Sequence, residues 1–199
     1  QVNWLPLTQL KHKLFLKSKK IKNKMKNSYI KFIATAVVLL LTGAKSYSQI
    51  TKAEIMATGL TCSMCSNAIN KQLKSYTEVD SIGTDLNTNT FTVYFKKDNS
   101  LEPKVLKNAV EKAGFFVGSM VLTAKFHTPT IEDNTTLKMD DATYTFIDIK
   151  NPVAHQEAKY RVLDKGFVTS KEYKKLIKSY SKYPGYATEN ENDYYLKAL

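Results

Sequence analysis

From Thr51 to Ala124 the apolar residues switch back and forth between two spacings, and the order of those switches constrains the fold more than any other feature. Over Thr51 to Thr58, Ala53, Ile55 and Ala57 alternate with Glu54, Met56 and Thr58. A period of two is that of a half-buried strand. Gly59 marks a turn. From Cys65 onward Ala68, Ile69, Leu73 and Tyr76 fall on one helix face. Val79 to Leu86 reads as a strand. Asn87-Thr88-Asn89-Thr90 reads as a turn, because asparagine tolerates left-handed backbone. Phe91, Val93 and Phe95 alternate again, so the two runs form a hairpin. A second helix follows, capped by Asn99 or Ser100, with Pro103 in its first turn, where a missing N–H costs little. Leu101, Val105, Leu106, Ala109, Val110 and Ala113 give it an apolar face, and Gly114 stops it. Phe116 to Ala124 is a last strand. The order β-α-β-β-α-β over roughly 75 residues is a split βαβ arrangement. It predicts an α+β, ferredoxin-like sandwich over residues 49–125, with a four-stranded antiparallel sheet and both helices on one face.

The remaining third of the chain is less regular. Phe126 to Asn134 reads as a linker. Residues 135–182 read as a small α+β unit. Its expected strands are Thr136 to Met139, Thr143 to Ile149 and Lys159 to Asp164, with Gly166 breaking the last. Thr169-Ser170-Lys171-Glu172 is a capping box. It opens a helix carrying Tyr173, Leu176, Ile177 and Tyr180 on one face. About 50 residues make a marginal core, so this unit is expected to pack on the first domain or on a partner. The tail, residues 183–199, is polar and tyrosine-rich and is expected to fray.

Charge locates the other end of the chain. The formal net charge is +12, the sum expected of a nucleic-acid binder. However, residues 1–48 hold ten lysines and no acid, whereas residues 49–199 hold twenty basic and eighteen acidic residues. The excess lies in a leader. Arg161 is the single arginine, although phosphate recognition favours arginine forks. No nucleic-acid partner is expected. Within the leader, the basic start Met25 to Lys31 precedes an apolar stretch, Phe32 to Leu41, and a small polar region ending Ser46-Tyr47-Ser48. This is the pattern of a signal peptide over residues 25–48, cut before Gln49. The apolar stretch falls short of the about 20 residues that span a bilayer, so no stable membrane span is expected in the mature form. Residues 1–24 read as upstream or disordered sequence. Expected localisation is the periplasm or cell envelope.

Cys62 and Cys65 are the two cysteines of the chain. Export makes a disulfide possible, but a bridge between them closes a loop too short to stabilise much. Thiol chemistry is the better account. Thiolates select soft ions. Zinc structural sites want four ligands, and His12, His127 and His155 all lie far from the pair in sequence. Two thiolates suit an ion content with two-coordination, as Cu(I) and Hg(II) are. Cys65 falls in a first helical turn, where negative charge is favoured by roughly 0.3–1 kcal/mol. Met64 is expected to point to solvent, and Met56 and Met120 to be ordinary strand side chains.

With these residues in view, the chain resembles the heavy-metal-associated domain family, which includes copper chaperones, modules of copper-transporting ATPases and a periplasmic mercury-binding protein. Gly59-Leu60-Thr61-Cys62-Ser63-Met64-Cys65 and Glu111-Lys112-Ala113-Gly114-Phe115 carry the resemblance. The family usually has Met where this chain has Leu60, an exchange that conserves volume. The resemblance implies metal ligation by Cys62 and Cys65, with Gly59, Leu60 and Thr61 shaping the loop. Phe115 resembles the aromatic that flanks the metal loop in the family, and it reads equally as a core aromatic. The implied cargo is Cu(I), with Hg(II) or another soft thiophilic ion as the alternative. The implied acceptor is a copper-transporting ATPase or another envelope metal acceptor. A thiol–disulfide redox protein and a metal-responsive adaptor are readings from other classes. Against the first, no Trp precedes Cys62, the single Trp being Trp4. Phosphate loops, nucleophile elbows and acid–histidine pairs are missing, so the chain is not expected to be an enzyme.

Overall fold

A computed structural model describes residues 49–199 apart from Cys62, His155 and Glu189. The expected signal peptide, its cut before Gln49 and the upstream segment 1–24 lie outside the described residues. The described residues fall in one compact unit. The first part follows the order read from the sequence: β1 (Gln49–Thr58), α1 (Ser63–Lys74), β2 (Val79–Asp85), β3 (Thr90–Phe95), α2 (Pro103–Lys112) and β4 (Phe116–Lys125). Its strands lie in the order β2-β3-β1-β4, every pair antiparallel. This is the ferredoxin-like arrangement. Ile55 faces Phe91 on one side and Met120 on the other. Ile55, Phe91, Val93, Met120 and Leu122 are fully buried together with Ile69 and Leu73 of α1, and Leu106 of α2 is nearly so.

Local details refine the expected boundaries. Ala68, expected on the buried face of α1, is exposed, and Ser66 takes that place, one turn before Ile69 and two before Leu73. Helix α2 is capped by Glu102, without a side-chain bond, rather than by Asn99 or Ser100. Pro103 opens the helix, so one otherwise orphaned N–H is missing at no cost. The Asn99 amide is used elsewhere, donating to the carbonyls of Ile50 (3.0 Å) and Lys96 (2.9 Å). Gly114 ends the helix at φ 89°. Between β2 and β3, Asn89 sits at φ 52°. The Asp85 carboxylate accepts from the Asn87 N–H (2.9 Å) and the Thr88 hydroxyl (2.8 Å), holding the turn.

The sheet does not stop at β4. Its outer edge pairs with β9 (Ala158–Val162), and beyond β9 lie β10 (Asp193–Ala198), β7 (Ala142–Phe146) and β6 (Thr136–Met139). One eight-stranded sheet results, antiparallel except between β10 and β7. A separate two-stranded pair joins β5 (Thr130–Ile131) to β8 (Val153–Ala154). Two expectations are corrected here. The tail after Tyr183 does not fray throughout, because Asp193–Ala198 is an interior strand with Tyr194 and Leu196 buried. Residues 126–134 are not a bare linker. Phe126 continues the alternation of β4 past its end and packs edge-on to Phe146 (5.0 Å) and Tyr160 (5.4 Å). One core runs from Ile50 through Leu122 to Tyr144, Tyr160 and Leu196.

Helix α3 (Ser170–Ser179) lies on the opposite face of the sheet. Alternation along β10 shows this: Tyr194 and Leu196 enter the main core, whereas Tyr195 joins Ile147, Leu163, Val168 and Tyr173 in a second cluster. Thr169 caps α3 by accepting from the Glu172 N–H. The Glu172 carboxylate does not return the bond. It pairs with Arg161 of β9 at 2.8 and 2.9 Å. Tyr180, Tyr183 and Tyr186 complete the cluster, and the Tyr186 hydroxyl donates to the Leu163 carbonyl (2.8 Å). Among the described residues no helix is long and apolar enough to cross a membrane.

Candidate metal centre

Strand β1 carries the chain to the loop, and two devices aim it. Gly118 of β4 leaves space that a side chain would fill: a Cβ there would sit 2.6 Å from the Thr58 methyl and 2.9 Å from the Met56 methyl. The end of β1 packs against β4 only because that position is bare. The Ala57 N–H then donates to the Asn89 carbonyl (3.0 Å), and the Thr58 hydroxyl donates to the Phe116 carbonyl (3.3 Å). The last two residues of β1 are thus tied to the β2–β3 turn and to the start of β4.

Gly59 turns the chain at φ 89°, a conformation that suits a residue without a Cβ. A Cβ at Gly59 would lie 3.8 Å from the Phe115 ring. Phe115 lies beside Gly59, the first residue of the loop, and packs partly buried on the core. Its own position is set by the end of α2, where the Gly114 N–H reaches Glu111 (2.9 Å) and the Phe115 N–H reaches Val110 (3.2 Å). Leu60 packs under the loop against the core, and Thr61 is exposed. Cys62 lies outside the described residues.

Cys65 stands in the first turn of α1 and is half-buried. No acidic residue shares that turn. The partial positive charge of the helix N-terminus therefore acts on a thiolate there without an opposing carboxylate. Met64 is 79 % exposed and Phe116 is 69 % exposed. These two apolar side chains bracket the loop, one just after it and one beside Thr58 across the β1–β4 ladder. Met56 lies on the outward side of β1, and Met120 is fully buried. His127 stands just beyond β4, and His155 lies outside the described residues. Among the described residues no group of three or more His, Cys, Asp or Glu is placed to hold an ion.

Sequence reasoning missed the supports of the loop. Gly118 and the Asn89 carbonyl have no motif of their own. The glycine inside a strand was the available signal, since it marks a close approach of another segment.

Comparison with known proteins adds the following. The family model of the heavy-metal-associated domain matches residues 54–116. Among solved structures, the yeast copper transporter domain Ccc2a, studied in apo and Cu(I)-loaded states, is 31% identical, with 34% of this chain and 90% of that chain covered and a TM-score of 0.31. The N-terminal domain of a potential copper-translocating P-type ATPase from Bacillus subtilis is 28% identical, with 40% and 95% covered and a TM-score of 0.32. CopP from Helicobacter pylori is 24% identical, with 33% and 97% covered and a TM-score of 0.30. No curated protein matches the chain.

Proposed function

We propose, from the premise that residues 54–116 are a heavy-metal-associated domain, that this protein holds a soft metal ion between Cys62 and Cys65 and hands it on by ligand exchange. The observation that carries the reading is the placement of Cys65. It occupies the first turn of a helix with no acid in that turn, directly after a loop braced by Gly59 and Phe115. Cu(I) is the proposed cargo and Hg(II) the alternative: two thiolates satisfy either ion and leave room for a third from an acceptor, and the C-terminal extension argues against a minimal one-domain mercury carrier. During exchange the acceptor thiolate binds as one of the two donor thiolates leaves, so no free ion forms. The acceptor is proposed to be a copper-transporting ATPase or another metal acceptor of the envelope. The protein is proposed to act there after cleavage before Gln49.

Anaerobic native mass spectrometry with Cu(I), Hg(II) and Zn(II) in competition tests this. One Cu(I) per reduced chain is expected, lost on Cys62→Ser or Cys65→Ser. Preference for Zn(II), or full Cu(I) retention by either variant, would defeat the reading.

A further inference from the structure

The folded chain is electrically lopsided. Residues 165–182 hold six lysines and one acid, whereas the rest of residues 49–199 hold fourteen basic and seventeen acidic residues. Four of the six, Lys171, Lys174, Lys175 and Lys178, sit on α3 at the i, i+3, i+4, i+7 spacing of a single stripe. All four are exposed, and among the described residues none of them makes a hydrogen bond or an ion pair. The single acid of the helix, Glu172, is engaged by Arg161 and does not neutralise the stripe. Lys182 extends the basic surface past the helix end, 3.8 Å from Asp133.

The apolar side of the same helix is already used. Tyr173, Leu176 and Ile177 pack in the tyrosine cluster on the sheet. Leu176 and Ile177 are partly covered by those contacts, and α3 presents no fully exposed large apolar side chain for insertion. The outer face is convex and built of lysine, a flexible point charge, rather than of arginine forks that match one carboxylate or phosphate geometry. Such a face complements a broad, diffuse negative surface better than a shaped acidic pocket.

We propose that the lysine stripe of α3 docks this protein flat on an anionic phospholipid bilayer, by charge alone and without insertion. Binding of this kind falls steeply with salt, because exposed charges are screened over about 8 Å at physiological ionic strength.

Flotation of residues 49–199 with vesicles tests the proposal, using zwitterionic lipid with and without about 30 % anionic phospholipid. Thermal melting of each protein first establishes that it is folded, and exposed lysine-to-glutamine changes should leave the melting point in place. Binding to anionic vesicles alone is expected, weakened at least about tenfold between about 0.05 M and 0.5 M salt. Each single Lys→Gln change on the stripe should weaken it about fivefold, and the quadruple variant on the order of 100-fold or more. In the full chain, the same four changes should remove part of the salt-sensitive binding. The double change Lys71→Gln with Lys74→Gln on α1 serves as the charge-matched control for Lys171→Gln with Lys174→Gln on the stripe, and should have the smaller effect. Equal binding by wild type and the quadruple variant would overturn the proposal, as would equal binding to zwitterionic vesicles. Capture by soluble polyglutamate without capture by vesicles would overturn it in favour of an acidic polypeptide.

Discussion

The two halves of the sheet share one ladder but are filled with different material. Around β1, β3 and β4 the core is mainly aliphatic: Ile50, Ile55, Val93 and Leu122 meet Ile69, Leu73, Leu106 and Val110 from the helices. From β9 to β6 it is aromatic: Phe126, Tyr144, Phe146, Tyr160, Phe167 and Tyr194 pack ring against ring, Tyr144 stacked on Tyr194 at 5.2 Å and the others mostly edge-on. Aliphatic packing is non-directional, so the first half tolerates exchange of one side chain for another of similar volume. Rings prefer particular tilts, and a buried phenol is costly where its hydroxyl finds no partner. The second half therefore depends on position as well as composition.

The largest test of this contrast is removal of β10. Deleting Asp193 to Leu199 takes Tyr194 and Leu196 out of the core and leaves β9 and β7 without their common neighbour. A loss of about 5 kcal/mol or more is expected from those two side chains and their ladder bonds. Because the core is continuous, denaturant unfolding of the intact unit should be one transition. Two resolved transitions would show that the halves fold apart.

Metal addresses the first half alone. With Cu(I) at about a hundredfold excess over Kd, the reduced protein should gain about 2.7 kcal/mol. Neither Cys62→Ser nor Cys65→Ser should show that gain, and both should match wild type without metal. An apo stability change as large as the lost metal effect would mean that the thiols are structural.

Protons address the second half. Asp164 follows β9, and burial pushes its carboxyl up to about 7, against the backbone N–H of Tyr195 (2.8 Å) that favours the ionised form. A carboxyl raised in the folded state binds more protons there than when unfolded, so its contribution to stability is greatest at acid pH. That contribution falls as pH rises from the unfolded value, near 4, to about 7. Between about pH 5 and pH 8, wild type should lose about 1–2 kcal/mol relative to Asp164→Asn, whose amide oxygen still accepts from Tyr195. Cu(I) affinity should be the same in both proteins. Parallel pH profiles would remove Asp164 from the account.

The smallest effect comes from a phenol without a partner. The Tyr144 and Tyr160 hydroxyls are buried and unpaired among the described residues. Tyr144→Phe should cost nothing, or stabilise by up to about 1 kcal/mol, because it removes a desolvated group that gains no hydrogen bond. Tyr186→Phe should instead destabilise by a similar amount, since its hydroxyl is bonded to the Leu163 carbonyl. Equal outcomes in the two variants would show that phenol pairing does not distinguish these sites.

The same contrast explains what could be read beforehand. Strand β1 alternates with small and aliphatic residues on the buried side and polar ones opposite, so its period is plain. Strand β10 reads Asp-Tyr-Tyr-Leu-Lys-Ala, with Tyr194 buried in one cluster and Tyr195 in the other. A strand covered on both faces loses its alternation, and tyrosine hides the rest because it is polar and apolar at once. Phe126 reads as linker because His127, Thr128 and Pro129 follow it, yet the burial pattern of β4 continues to it. At the candidate site, Gly59, Leu60 and Phe115 could be read as parts of a motif. Gly118 could not be, since what it accommodates is the side chains of Met56 and Thr58, sixty residues earlier in the chain.

The place of β10 between β7 and β9 also bears on the time course of folding. Strands β1 to β3 find all their partners within the first part of the chain, whereas β10 must enter between β7 and β9, both of which precede it. Such insertion cannot begin until β10 is available, and contacts so distant along the chain form slowly. In the interval β9 and β7 present open strand edges, where Val162 and Phe146 await Leu196, the kind of surface on which other chains add strands. The vulnerable moment of this protein is thus a stage of its assembly, when the metal domain can be complete while the half of the sheet beside it still has open edges.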